Sequence, residues 1–139
     1  IAVTGEKFSA TLPSQDTLWR PTTMVILEED RQVLTARLDE RVERMWEAGL
    51  VEETAFLAEQ GLERGTTAPR AIGYAQALAE LRGDMSREEA IADAQALTRK
   101  FARRQVSWFR RYDLALRLPA GAPSNVEAVL RAAGFGELL

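Results

Sequence analysis

Over most of this chain apolar residues recur every three or four positions, which is the spacing of one face of an α-helix. Two shorter apolar runs are rich in β-branched or alternating residues and suit strands instead. The pattern predicts a mainly α fold with one or two short strands. The predicted strands are Thr23–Leu27 and Asp113–Leu118, and the predicted helices cover residues 30–48, 50–60, 70–83, 86–111 and 126–133.

Residues that begin and end helices stand at the borders of these stretches. Asp30 can cap the helix that Gly49 ends, and Ser124 or Asn125 can cap the last one. Ser86 and a glutamate three residues later form a capping box for the longest helix. At roughly 26 residues and about 1.5 Å per residue, this helix would be about 39 Å long. We expect it to be the element around which the others pack.

The chain divides by pattern into three regions. Residues 1–22 mix Gly, Ser, Thr and Pro with few periodic apolar positions, which predicts an irregular lead-in segment. Residues 23–118 form the predicted helical region, and residues 119–139 a turn and a short helix. The first residue is Ile, and the strand at 23–27 has no obvious partner strand, so we expect a piece of a longer polypeptide.

Composition excludes several classes of chemistry. The 139 residues include no Cys and no His, so disulfides, cysteine nucleophiles, histidine bases and thiolate or imidazole metal sites are not available within the chain. No apolar run approaches about 18 residues and no signal-peptide pattern is present, so we expect no membrane contact and a cytoplasmic location. The 46% hydrophobic content is that of an ordinary globular protein.

Positive charge is concentrated in residues 99–111, RKFARRQVSWFRR, which contain six cations and no acid. The whole chain has 18 basic and 21 acidic residues, so the rest of it is strongly acidic. Five of the six cations are arginine, whose planar guanidinium suits phosphate and can stack on bases. An anionic partner, nucleic acid or a diphosphate, would compensate the repulsion. The alternative is a solvated charged face on a long helix.

On a helix this basic stretch has one apolar edge and two rows of cations. Leu97, Phe101 and Trp108 fall within a sector of roughly 60° at about 100° per residue, and we expect them to form a buried seam. The opposite row consists of Arg99, Arg103 and Arg110, and the row that flanks the seam consists of Lys100, Arg104 and Arg111.

Two further positions conflict with their surroundings. Arg41 lies inside the apolar stripe of its helix, where a cation is unfavourable unless it is paired. It could bridge to a buried carboxylate or extend to water, or Arg37 and Arg41 could together reach a phosphate-bearing ligand.

Gly73 lies in the interior of a predicted helix, at a cost of about 1 kcal/mol relative to Ala. It could allow close helix packing beside a half-buried Tyr74, or Arg70 and Tyr74 could contact one ligand from a shared face.

Four segments together resemble the tRNA dimethylallyltransferases, also called isopentenyl-tRNA transferases. They are TGEKFSA, RLDERVERMWEAGLVEE, RAIGYAQALAELRG and TRKFARRQVSWFRR, in the family's order and spacing over roughly residues 4 to 112. The resemblance implies an enzyme that moves a dimethylallyl group from dimethylallyl diphosphate to N6 of the adenosine 3′ of the anticodon. Its partners would be the tRNA anticodon stem-loop and that diphosphate.

The resemblance also implies what is missing. The family has a P-loop nucleoside-triphosphatase-like α/β core, whose phosphate loop holds the diphosphate with Mg²⁺ and whose Asp-Ser motif carries the general base. Neither G-x-x-x-x-G-K-[ST] nor Asp-Ser occurs in this sequence. We therefore expect the helical C-terminal part of such an enzyme, inactive without its N-terminal P-loop half. No catalytic residue and no metal ligand is assigned within the chain.

Carried over from the family, the diphosphate contacts are Arg37 and Arg41. Two departures from the commonest family pattern are Arg103, where Lys is frequent, and Ala75, where a polar or cationic residue is frequent. The first keeps the charge and the second removes a possible phosphate contact. The tRNA contacts implied are Arg70, Ala71, Ile72, Gly73, Tyr74 and Ala75, and Arg103, Arg104, Gln105, Val106, Ser107, Trp108, Phe109 and Arg110.

Physical reasoning agrees with this implied function. An adenine inside a structured loop must leave its stack before its amine can react, and arginines that hold the flanking phosphates can stabilise the distorted loop.

Two alternatives remain for the basic helix. The chain could be a non-catalytic helical RNA-binding module, or a structural helical domain whose basic face contacts an acidic protein or a second copy.

Overall fold

A computed structural model describes residues 22–138 of the chain. The segment TGEKFSA and all but the last residue of the predicted lead-in 1–22 lie outside the described residues. The predicted fold class, mainly α with two short strands, is confirmed. The elements are β1 (Val25–Glu28), α1 (Arg31–Glu47), α2 (Leu50–Glu59), α3 (Tyr74–Arg82), α4 (Arg87–Phe109), β2 (Leu116–Pro119) and α5 (Asn125–Ala132), with short 3-10 helices at Leu62–Arg64, Ala68–Arg70 and Gly136–Leu138.

The described residues form two compact units. One consists of residues 28–111 and contains α1 to α4. The described part of the other consists of residues 22–27 and 112–138, with most of β1 and all of β2 and α5. The boundaries predicted from the sequence at 22, 118 and 119 stay predictions.

Helix α1 begins and ends close to where the sequence predicts. The Asp30 carboxylate accepts hydrogen bonds from the backbone N–H groups of Gln32, at 2.8 Å, and Val33, at 3.1 Å. These bonds satisfy donors that a helix N-terminus leaves without partners. Gly49 has a φ of +95°, which a residue with a Cβ rarely adopts, and the chain reverses there into α2.

The start of α4 is fixed by the predicted capping box. The Glu89 N–H donates to the Ser86 hydroxyl at 3.2 Å, and the Ser86 N–H donates to the Glu89 carboxylate at 2.8 Å. The helix has 23 residues and ends at Phe109, two residues before the predicted end. Within residues 22–138 no helix is both long and apolar enough to span a membrane.

The core of the helical unit joins α1 to the first half of α4. Val42 and Trp46 of α1, each 2% exposed, pack against Ala90 and Ala94 of α4. The small alanine side chains let the two helix backbones approach, so that the Trp46 ring fills the space between them. The indole N–H of Trp46 donates to the Glu80 carboxylate of α3 at 2.7 Å, which adds α3 to the same core.

The predicted buried seam on α4 is wrong in its second half. Phe101 and Trp108 are each 47% exposed, and only Leu97 of the three is mostly covered. The buried residues of α4 are the two alanines in its first half, opposite Trp46. Periodicity identifies which face of a helix is apolar, but not how far along the helix a neighbouring element covers that face.

Strands β1 and β2 pair in parallel and form the two-stranded sheet of the described residues. The Leu116 N–H donates to the Met24 carbonyl at 2.9 Å, so β2 is the partner that the sequence did not reveal for β1. The predicted cap of α5 is wrong for Ser124, whose side chain makes no capping bond. The Asn125 amide instead donates to the Pro119 carbonyl at 2.7 Å, which joins α5 to β2.

Candidate functional site

The predicted helix over residues 70–83 is interrupted at Gly73, which corrects the sequence prediction. A short 3-10 helix ends at Arg70, the chain then extends, and α3 begins only at Tyr74. Gly73 has φ +103° and ψ −63°, a conformation that a right-handed helix excludes. A Cβ on Gly73 would lie 3.2 Å from Met45 Cε and 3.5 Å from Leu50 Cδ2. We call residues 70–73 the RAIG loop.

A buried hydrogen-bonded chain holds the RAIG loop against α4. The Gly73 N–H donates to the Gln76 side-chain carbonyl at 2.9 Å, and the Gln76 amide donates to the Asp93 carboxylate at 2.8 Å. Gln76 is 5% exposed, so the bond from Gly73 is shielded from water, while the bond to Asp93 is partly buried. Sequence reasoning missed Gln76. The available signal was an amide side chain three residues after Gly73, at the N3 position of a capping box.

A pocket of about 400 Å³ lies where α1, the RAIG loop and α4 meet. Arg41 and Arg70 supply cations to its lining, while Phe101, which is 47% exposed, supplies aromatic surface. We call it the RAIG pocket. The structure therefore brings Arg41, predicted to contact the diphosphate, together with four residues predicted to contact tRNA: Arg70, Ala71, Ile72 and Gly73.

The two predicted diphosphate residues do not share a pocket. Arg41 is exposed and forms no ion pair within residues 22–138. Its side chain therefore extends to water and does not bridge to a buried carboxylate. Arg37 is paired instead with Glu29, its Nη1 lying 2.6 Å from the carboxylate oxygen. The RAIG pocket is lined by Arg41 and not by Arg37.

Arg70 lines the RAIG pocket and Tyr74 does not, so the contact of both residues with one ligand stays an interpretation of the sequence. Tyr74 is half-buried and lines a neighbouring cavity of about 390 Å³ with Glu53 and Ile72. Its hydroxyl donates to the Glu53 carboxylate. This hydrogen bond, followed by burial and by the charge of Glu53, raises the pKa of Tyr74 above its ordinary value of 10.0. The neutral hydroxyl is therefore the donor at physiological pH.

The second predicted tRNA segment, residues 103–110, contributes no residue to the lining of the RAIG pocket. Four of its residues, Arg103, Val106, Ser107 and Arg110, line a groove of about 530 Å³ between α1 and α4, which we call the α1–α4 groove. Phe101, in the RAIG pocket, and Arg110, in the groove, lie about 180° apart at 100° per residue. The lining residues are Glu29, Arg31, Leu34, Thr35, Leu38, Arg99, Ala102, Arg103, Val106, Ser107 and Arg110.

The cations in α4 and directly after its end differ in their partners. Arg99 pairs with Asp39 of α1, with 2.5 Å between Nη1 and the carboxylate oxygen, and this pair joins the two helices. The Arg104 guanidinium lies 5.7 Å from the centre of the Phe101 ring, and that of Arg111 lies 4.5 Å from the Trp108 ring. Arg103 and Arg110 are exposed and form no ion pair within the described residues.

The described residues offer no metal site of their own. No group of three or more Asp or Glu side chains in residues 22–138 lies close enough together to hold a metal ion.

Comparisons with known proteins identify the family. The model of the family described as IPP transferase matches residues 1–112. The tRNA dimethylallyltransferase of Clavibacter sepedonicus is 51% identical over 114 residues, which are 82% of this chain and 37% of that protein. That of Kineococcus radiotolerans is 51% identical over 118 residues, 85% of this chain and 37% of the relative. The chain belongs to the IPP transferase family, and the predicted resemblance is confirmed.

Solved structures agree in fold. The full-length tRNA isopentenylpyrophosphate transferase of Bacillus halodurans is 30% identical with a TM-score of 0.69, covering 81% of this chain and 37% of that one. The tRNA Δ(2)-isopentenylpyrophosphate transferase of Staphylococcus epidermidis is 31% identical with a TM-score of 0.64. The match covers 69% of this chain and 31% of that one. The chain thus spans about a third of the length of these relatives.

Proposed function

We propose that this chain is the substrate-positioning C-terminal part of a tRNA dimethylallyltransferase. The full-length enzyme would transfer a dimethylallyl group from dimethylallyl diphosphate to N6 of the adenosine 3′ of the anticodon. In this proposal the described residues bind the tRNA anticodon stem-loop, and the chain alone is inactive because the P-loop half lies outside it. With tRNA as its substrate the enzyme acts in the cytoplasm. Relatives named for this activity support the proposal.

The RAIG pocket is the observation that supports the proposal most strongly. Its volume of about 400 Å³ suits one nucleotide or a small diphosphate, and it combines cations with aromatic surface. A purine turned out of its stack can lie against Phe101, while Arg41 and Arg70 contact phosphate oxygens. A purely structural helical domain would not need exposed cations around an aromatic pocket.

The proposed chemistry needs one nucleophile, one leaving group and one base. The adenine N6 forms a bond to the donor carbon, the bond from that carbon to the diphosphate oxygen breaks, and the amine loses a proton. The proposal assigns the base and Mg²⁺ to the P-loop half. Negative charge grows on the departing diphosphate, so Arg41 would stabilise the transition state more than the bound substrates. Replacing Arg41 with Gln should then lower kcat more than it weakens RNA binding.

The first test measures binding of an anticodon stem-loop RNA to the full-length protein at several salt concentrations. Binding should weaken steeply as salt rises, because phosphate contacts release counterions. Arg104→Glu should abolish binding while the far-ultraviolet circular dichroism stays unchanged. Arg87→Glu is the matched control, since Arg87 is also exposed on α4 but lies at its other end. Unchanged binding by Arg104→Glu would contradict the proposal.

The second test separates this enzyme from a non-catalytic RNA-binding module. The chain is mixed with a separately produced P-loop half, and transfer of a labelled dimethylallyl group to tRNA is measured. Transfer should require both parts, and Arg41→Gln should lower the rate of transfer more than it weakens RNA binding. RNA binding without transfer by the full-length protein would favour the binding module.

A further inference from the structure

The α1–α4 groove is a second candidate binding surface, and neither the family segments nor the RAIG pocket accounts for all of it. Its floor is aliphatic, with Leu38 of α1 and Val106 of α4. Its rim carries Arg31 from the first turn of α1, Arg103 from α4, and Arg110 directly after the end of α4. An aliphatic floor beneath a cationic rim suits a ligand that has both an apolar face and phosphate groups.

The rim cations lack neutralising partners of their own. Within residues 22–138, Arg31, Arg103 and Arg110 are exposed and form no ion pair. The one carboxylate that lines the groove, Glu29, already pairs with Arg37 at 2.6 Å, and the remaining arginine of the lining, Arg99, pairs with Asp39 at 2.5 Å. Three like charges around one groove repel each other unless an anion joins them.

The position of the groove restricts what that anion can be. Helix α4 separates it from the RAIG pocket, and an α-helix with its side chains is about 10 Å across. A free nucleotide or a free diphosphate is too short to contact both spaces, whereas a nucleic acid strand of a few nucleotides is long enough. Ribose and base faces would cover the aliphatic floor, which an acidic peptide would cover poorly.

We propose that the α1–α4 groove binds a phosphodiester segment of the same RNA whose reacting nucleotide enters the RAIG pocket. Arg31 is then an RNA-binding residue contributed by α1, outside the segments that the family resemblance assigns. This inference rests on the proposed function, because the RNA is the substrate proposed above. It adds that α4 is contacted by the RNA on two sides.

The test compares Arg31→Ala with Arg87→Ala in the full-length protein, with anticodon stem-loop RNA as the probe. Arg31→Ala should weaken binding about three- to tenfold and reduce the slope of log affinity against log salt by about 0.7 to 1, as expected for one lost phosphate contact. Arg31→Lys should restore the slope, and Arg87→Ala should match the wild type. Val106→Ala should weaken binding about threefold without changing the slope, because it removes only apolar contact.

Each other outcome has a distinct meaning. If Arg31→Ala and Arg103→Ala both bind like the wild type while Arg104→Glu binds poorly, the groove inference is overturned and the proposed function stands. If Arg31→Ala raises the KM for dimethylallyl diphosphate at unchanged RNA affinity, the groove belongs to the donor and the inference is also overturned. If none of the arginine variants changes RNA binding, the proposed function itself fails.

Discussion

Gly73 shows how a single residue shapes the candidate site. Its positive φ turns the chain from the RAIG loop into α3, and its lack of a Cβ lets Met45 and Leu50 pack against the turn. Its N–H is oriented toward Gln76, which in turn is held by Asp93. Backbone geometry at one position therefore sets the direction in which Arg70 and Ile72 leave the helical core.

Gly73→Ala should lower the free energy of unfolding by about 1–3 kcal/mol, because φ +103° is strained for a residue with a Cβ. The new methyl would also displace Met45 Cε, 3.2 Å away, although that atom is at the end of a flexible side chain. Urea denaturation measures the change.

Gly83→Ala is the control for Gly73→Ala. Its φ of +75° is in the left-handed helical region, and a Cβ there meets no atom within 4 Å. The expected loss is therefore smaller, about 1 kcal/mol. An equal or larger loss at Gly83 would mean that the tight packing and unusual backbone at Gly73 contribute little.

At the scale of elements, the end of a helix depends on residues close to it in sequence, whereas the burial of a helix depends on the elements packed beside it. The capping box at Ser86 involves residues three apart, so the sequence is sufficient to place the start of α4. Burial of the Phe101 and Trp108 edge depends on which other elements lie beside it, and among residues 22–138 none covers it fully. Half-exposed aromatic rings beside arginines suit base stacking.

Ser86→Ala should lower the free energy of unfolding by about 1 kcal/mol, since it removes the acceptor for the Glu89 N–H. Thermal denaturation followed by circular dichroism checks this value. Ser124→Ala is the matched control, because Ser124 also precedes a helix but makes no side-chain capping bond. Equal losses in the two variants would argue against a stabilising role for the capping box.

At the scale of the helical unit, one contact between α1 and α4 positions both candidate binding surfaces. Trp46 packs on Ala90 and Ala94, and the RAIG pocket and the α1–α4 groove both include residues from these two helices. The separation of α1 from α4 therefore determines the width of both spaces. A change in that contact should affect stability and RNA binding together.

Ala94→Leu should separate α1 from α4 and lower the free energy of unfolding by about 1–3 kcal/mol, because Ala94 is 1% exposed and packs in the core with Val42 and Trp46. The affinity for anticodon stem-loop RNA should fall as well, since Ala94 also lines the RAIG pocket. Ala96→Leu, at an exposed position of the same helix, should change neither quantity. Urea denaturation and RNA titration of both variants measure these effects.

Sequence pattern alone determined the helical class, the borders of α1, α2 and α4, and the caps at Asp30 and Ser86. These features depend on residues within one or two turns of each other, so their causes are contained in short stretches of sequence. The RAIGY and RRQVSWFR segments likewise identified the family, which the comparisons confirm.

Tertiary structure alone decided which of these residues meet. It paired Arg37 with Glu29 and Arg99 with Asp39, and it placed Arg41 beside the RAIG loop. It also turned Gly73 out of the helix that the apolar spacing predicted, because the packing of Met45 and Leu50 and the bond to Gln76 fix its backbone. Contacts between residues that are distant in the chain depend on how helices pack, and a periodic pattern carries no information about that geometry.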